Sequence, residues 1–120
     1  MKKINIKWSY KTFDSLSNSE LYNILRLRSE VFIIEQQCIY QDLDGKDLKS
    51  HHLTAWDGDN LVAYTRIVPP WVSFLEVSIG RVLTSPLYRG NGMGIALMQK
   101  SIEKVYETYG KTPIRIGAQL

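Results

Sequence analysis

The 120-residue chain is 44 % hydrophobic and 22 % charged, close to the soluble average and long enough for one core but not two, which excludes disordered and fibrous classes. Its formal charge of +3 comes from Lys and Arg dispersed along the chain, a weak basis for nucleic-acid binding. A lone Cys38 beside His51 and His52 excludes an internal disulfide and supplies no structural zinc set, and no apolar run approaches the roughly 18 residues of a membrane span.

The opening "MKKINIKWSYKTF" has basic residues but no apolar signal segment, so a cytoplasmic protein with a single domain over residues 1–120 is expected. Within it "KINIKWS" at 3–9 alternates Ile4, Ile6 and Trp8 with polar residues, the period of a half-buried strand. "SNSE" at 17–20 has the form of a capping box and starts a helix, whose apolar face recurs through Leu21, Ile24, Leu25, Val31 and Phe32 towards Glu35. "CIYQDLDGKDLKSHH" then loses periodicity and reads as a polar loop with room for a short helical turn.

Strands near 52–57 and 61–68, separated by "DGDN", form an antiparallel hairpin, and "PPW" stops the second. "EVSIGRVLT" at 76–84 is a further strand, "SPLY" ends it, and Ile95, Met98, Ile102, Val105 and Tyr109 mark a second helix closed by Gly110. "TPIRIGAQL" is a last strand, expected parallel to that at 76–84 through a right-handed crossover. The fold class is therefore α/β or α+β, a mixed central sheet with helices on both faces.

"SPLYRGNGMGIALMQK" at 85–100 carries the strongest chemical signal. A glycine turn between a strand and a helix presents unpaired backbone N–H groups at the positive end of the helix dipole, an anion site. Gly90, Gly92 and Gly94 permit close backbone approach, and Arg89 adds a charged donor. The alternative is a merely tight connection. A Walker A loop fails, because the only Lys-Ser pair after the turn, Lys100-Ser101, follows Gln99 inside the helix. A Gly-x-Gly-x-x-Gly fingerprint also fails, reaching Ile95 from Gly90 or Leu97 from Gly92, with no Asp beyond Asp59 to hold a ribose.

The letters do spell Arg-x-x-Gly-x-Gly after a hydrophobic strand and before an amphipathic helix, which resembles the pyrophosphate motif of the GNAT N-acetyltransferases. "RSEVFIIEQQCIYQDLDGKD", "HHLTAW", "LVAYTRIV", "IGRVLTSPLYRGNGMG" and "IRIGAQ" extend the resemblance over almost the whole chain and look like the ElaA-type branch of that superfamily. The resemblance implies an enzyme that transfers acetyl from acetyl-CoA to a small-molecule or protein amine by direct attack. It implies that the backbone of Val82, Leu83 and Thr84 pairs with the pantetheine arm, and that the N–H groups of Arg89, Gly90, Asn91, Gly92, Met93 and Gly94 hold the pyrophosphate.

Proton removal needs a carboxylate or imidazole near the acetyl group, and the candidates are Glu76, Glu35 and His52, with His51 beside it. Each also has a plain structural role open to it, as a strand-entry charge, a solvated helix end or a strand residue bonded to backbone. Asp42, Asp44 and Asp47 form the densest acidic group, in a loop that in the family shapes the acceptor site, so Asp42 and Asp44 are expected to attract an ammonium. That loop is no EF-hand, since Gly45 is at the fourth position of "DLDGKDLKSHHL" and not the sixth.

The resemblance further implies another helix and two strands after 114–119, often with a tyrosine that protonates the leaving thiolate, whereas the sequence stops at Leu120. Tyr106 and Tyr109 lie late on a helix whose apolar face is more simply core, and neither is expected to replace it. The expectations are a fragment of a longer chain, a homodimer that lends strands, or, as the alternative to an enzyme, a non-catalytic CoA-binding or interaction module.

Overall fold

The computed structural model describes residues 5–31, 43–90 and 92–117. Strand β1 (Lys7–Thr12) starts and ends later than the alternation at 3–9 suggests, because its bounds follow its pairing with the next strand, from Lys7 opposite Trp56 to Thr12 opposite His51. A single turn of 3-10 helix at Phe13–Ser15 then leads to the capping box. Ser17 Oγ accepts from the Glu20 N–H at 3.0 Å and Glu20 Oε1 accepts from the Ser17 N–H at 2.8 Å, which satisfies two N–H groups that the helix itself cannot.

Helix α1 (Asn18–Arg28) follows, and residues 29–31 continue it as a wider π-type turn. After a 3-10 turn at Lys46–Lys49 come β2 (His51–Asp57), β3 (Asn60–Val68) and β4 (Val77–Thr84). Another short 3-10 turn, Pro86–Tyr88, precedes α2 (Met93–Tyr109), which Gly110 closes by donating its N–H to the Tyr106 carbonyl at 3.0 Å. The last described strand is β5 (Ile114–Ile116).

The sheet order is β1-β2-β3-β4-β5, with the first four antiparallel and β5 parallel to β4. Helix α1 covers one face, where Ile24, Leu27 and Val31 pack on Leu61, Tyr64 and Leu83. Helix α2 covers the other, with Leu97 against Leu53 and Val62, and Val105 against Ile67, Val77 and Ile79. The expected mixed sheet with helices on both faces is the architecture observed. Covered on both sides, β3 is buried from Leu61 to Val68, so its polar residues need internal partners. Thr65 finds one in Ser101 of α2 at 2.8 Å; the Ser101 hydroxyl proton goes to the Leu97 carbonyl, so Thr65 is the donor. Among the described residues no helix is long and apolar enough to cross a membrane.

Candidate functional site

A kink in β4 creates the site. Tyr64 and Arg66 of β3 lie opposite Leu83 and Gly80 of β4, so two steps on β3 face three on β4 and one residue of β4 is extra. The bulge falls at Arg81, whose φ of 50° is left-handed, a conformation that costs an L-residue energy. It also shifts the phase of the strand: Ile79 and Val82, three residues apart, both pack on the α2 side. Pairing with β5 runs only from Val77 to Ile79, and the Gly117 N–H reaches the Ile79 carbonyl at 2.9 Å. Beyond that point residues 80–84 pair with β3 alone among the described residues. The edge of β4 at 82–84 thereby offers backbone groups to an extended ligand.

The chain leaves β4 under firm control. The Ser85 N–H donates to the Val62 carbonyl at 2.7 Å, the Tyr88 N–H to the Ser85 carbonyl at 3.0 Å, and the Tyr88 hydroxyl to Asp57 Oδ2 at 2.7 Å. Gly90 and Gly92 then take φ of 89° and 71°, values that only glycine adopts without strain. Gly92 stands at the N-terminus of α2 with no side chain capping it among the described residues. The first intrahelical bond runs from the Ala96 N–H to the Gly92 carbonyl, at 3.1 Å. The N–H groups of Met93, Gly94 and Ile95 precede it and point along the helix axis towards an approaching anion.

One open cavity of about 470 Å³ is lined by Val82, Leu83, Thr84, Arg89, Gly90, Gly92, Met93 and Gly94, that is, by every described residue of the expected cofactor set. Val31 and Ile95, not expected from the sequence, complete its wall. Asn91 lies outside the described residues. Because Tyr88 ties the glycine turn to the end of β2, Tyr88→Phe is expected to weaken binding of a pyrophosphate-bearing ligand in this cavity about threefold to tenfold and to lower stability slightly; calorimetric titration and urea unfolding check the two effects.

The expected catalytic and acceptor residues are distributed differently. Glu76 precedes β4 and forms an ion pair with Arg115 of β5, Oε1 to Nε at 3.6 Å. It lies four residues before Gly80, about 13 Å along an extended strand. His52 is 1 % exposed and has both ring nitrogens engaged: Nε2 donates to the Asp47 carbonyl at 2.9 Å, so Nδ1 accepts from the Tyr64 hydroxyl at 2.6 Å. Burial pushes the His52 pKa down and that of Tyr64 up, which keeps the imidazole neutral and the phenol a donor. His51 points to the opposite face and stacks on Tyr10 at 4.9 Å. Glu35 and Asp42 lie outside the described residues.

Asp44 and Asp47 sit in an ion network that the sequence does not announce. Asp44 takes both terminal nitrogens of Arg66, at 2.8 and 3.0 Å, the Lys46 N–H at 3.0 Å, and Arg81 Nη2 at 3.4 Å. Asp47 takes Arg28, at 2.8 and 3.3 Å, and Arg66 at 3.1 Å. Burial by itself would raise both carboxyl pKa values; the bonds from Arg66 and Arg28 outweigh it, and Asp44 is held down at about 2. The expectation that Asp44 offers its charge to an ammonium thus meets a carboxylate already turned onto guanidinium groups of its own chain. The available signals were an arginine inside the apolar run "LVAYTRIV" and Arg28 in phase with Ile24 and Leu21 on the apolar face of α1.

Known proteins share this fold. Protein ElaA of Escherichia coli K12 is 41 % identical over 116 residues, which cover 95 % of this chain and 76 % of ElaA. The crystal structure of Escherichia coli ElaA matches with a TM-score of 0.90 over 96 % of this chain and 79 % of that one. An acyl-CoA N-acyltransferase from Pseudomonas aeruginosa matches with a TM-score of 0.89 at 40 % identity, over 96 % of this chain and 80 % of its own. A protein from Clostridium acetobutylicum described as a predicted acetyltransferase, whose structure was determined with acetyl-CoA, shares the fold alone, with a TM-score of 0.68 at 15 % identity over 96 % and 82 % of the two chains. Residues 17–117 match the Acetyltransferase (GNAT) family, and the chain belongs to that family.

Proposed function

We propose that this protein transfers an acetyl group from acetyl-CoA to the nitrogen of an amine acceptor. The observation that carries the reading is the convergence of two kinds of backbone on one cavity: the strand edge at 82–84 and the N-terminus of α2. The residues fit the group. A Cβ built on Gly92 or Gly94 meets nothing within 4 Å, so the turn faces open space, and the N–H groups of residues 93–95 with the Arg89 guanidinium suit a pyrophosphate. The edge of β4 suits the amides of pantetheine, as an added strand would. Family membership and the acetyl-CoA held by the Clostridium acetobutylicum relative in fold support the same donor.

Acetyl-CoA supplies the activated thioester. The chain's own task is to orient the donor and to take a proton from the acceptor, because an ammonium has no lone pair with which to attack. Glu76 is the described candidate for that proton, received on a carboxylate oxygen directly or through water. Arg115 holds the carboxylate between β4 and β5, the two strands whose separation begins at Ile79.

Thiol release from acetyl-CoA over a panel of amines tests the proposal, with release expected for at least one acceptor class. Binding of acetyl-CoA with no release across the panel would favour a non-catalytic CoA-binding module. For Glu76→Gln the expected result is a fall in kcat of about 100-fold or more with little change in the KM for acetyl-CoA, and recovery as pH rises and the free amine becomes abundant. An unchanged kcat would remove Glu76 from the chemistry.

A further inference from the structure

We propose that Asp44 is a positioning residue for the donor strand: it ties the loop at 43–50 to the bulge of β4 and so sets the backbone edge at 82–84. The inference rests on the reading that this edge holds the pantetheine arm. Arg66 of β3 lies opposite Gly80, immediately before the bulge, and Arg81 is the bulged residue itself. Asp44 contacts both, with two bonds to Arg66 and an ion pair to Arg81 at 3.4 Å. A single carboxylate therefore spans the two strands at the place where their registers part.

The bridge is itself anchored. Arg66 is 4 % exposed and shares Asp47 with Arg28, which is fully buried on α1. Helix, loop and both strands meet in this chain of charges. A left-handed arginine persists only where its surroundings hold it, and the Asp44 carboxylate is part of that hold. Release of Arg81 lets β4 regain a regular conformation, which changes the phase of Val82, Leu83 and Thr84 and rotates the groups they offer to the donor.

The geometry also yields a test that an acceptor contact cannot imitate. Glycine adopts φ near 50° freely, so Arg81→Gly keeps the bulge without needing the carboxylate. Asp44→Asn is expected to raise the Kd of desulfo-CoA about tenfold and to speed hydrogen exchange of the amides at 82–84, with the acceptor KM unchanged. In the Arg81→Gly background the same change is expected to alter the Kd by less than about twofold. Asp44→Glu, which keeps the charge, should restore part of the affinity.

An Asp44→Asn effect confined to the acceptor KM would overturn the proposal, as would a Kd effect of equal size in both backgrounds. So would unchanged amide exchange at 82–84. Should the wild-type chain not bind desulfo-CoA while Asp44→Asn still speeds that exchange, the acetyl-CoA reading fails and the anchoring of the bulge stands.

Discussion

Arg89→Glu combined with Gly92→Val is expected to weaken acetyl-CoA binding by at least about 100-fold while the protein remains folded. Gly92 has φ of 71° at the start of α2, where a β-branched residue is strongly disfavoured, so valine reorganises the turn and moves the N–H groups of residues 93–95 off their common target. Arg89→Glu replaces a charge-assisted donor, worth about 1.5–3 kcal/mol per bond, with repulsion. The fold tolerates both because the turn is exposed and a Cβ at 92 meets no neighbour within 4 Å. Gly110→Ala is the control: its φ of 79° is equally left-handed but lies at the far end of α2, so it should cost stability and leave the Kd alone. Titration calorimetry separates the two effects, and equal Kd values for wild type and double variant would refute the assignment of the pyrophosphate site.

Asp47→Ala is expected to be strongly destabilising, by about 3 kcal/mol, because it removes the carboxylate bonded to the fully buried Arg28 and one of those facing Arg66. Urea unfolding at neutral pH measures this directly. The pH dependence has a definite sign. Asp44 and Asp47 have folded pKa values below the ordinary 3.8, so their contribution is present above about pH 4 and is lost as pH falls towards the folded value, about 2 for Asp44. His52 has a folded pKa below the ordinary 6.5; the unfolded chain binds its proton first, and stability also falls as pH drops below about 6.5. Wild-type stability should therefore decline gently below pH 6.5 and steeply below pH 4. The steep limb should be shallower in Asp47→Ala, and parallel limbs in the two proteins would contradict this account.

Local signals in the sequence carried much of this structure. The capping box at Ser17 and Glu20, the hairpin around Gly58, the C-terminal Gly110 and the glycine turn all rest on interactions among near neighbours, and each is where the letters put it. Strand β1 differs because alternation reports a period while pairing with β2 sets the ends. The bulge at Arg81 was invisible, since an extra residue exists only relative to a partner strand. Arg28 falls in phase with Leu21 and Ile24 on the apolar face of α1, and Asp47, 19 residues later in the sequence, supplies the charge that lets it be buried there. His52 and Asp44 were read by their chemistry as a base and an ammonium contact. Tyr64, Arg66 and Arg81, which engage them, come from strands that only folding brings alongside.

Hydrogen exchange of the wild-type chain with and without acetyl-CoA tests the central claim most directly. Two separate stretches should gain protection together: the amides at 82–84 along the edge of β4, and those at 93–95 at the start of α2. Protection confined to one stretch, or appearing instead over the depression beside Trp8 and Trp56, would contradict the site described here.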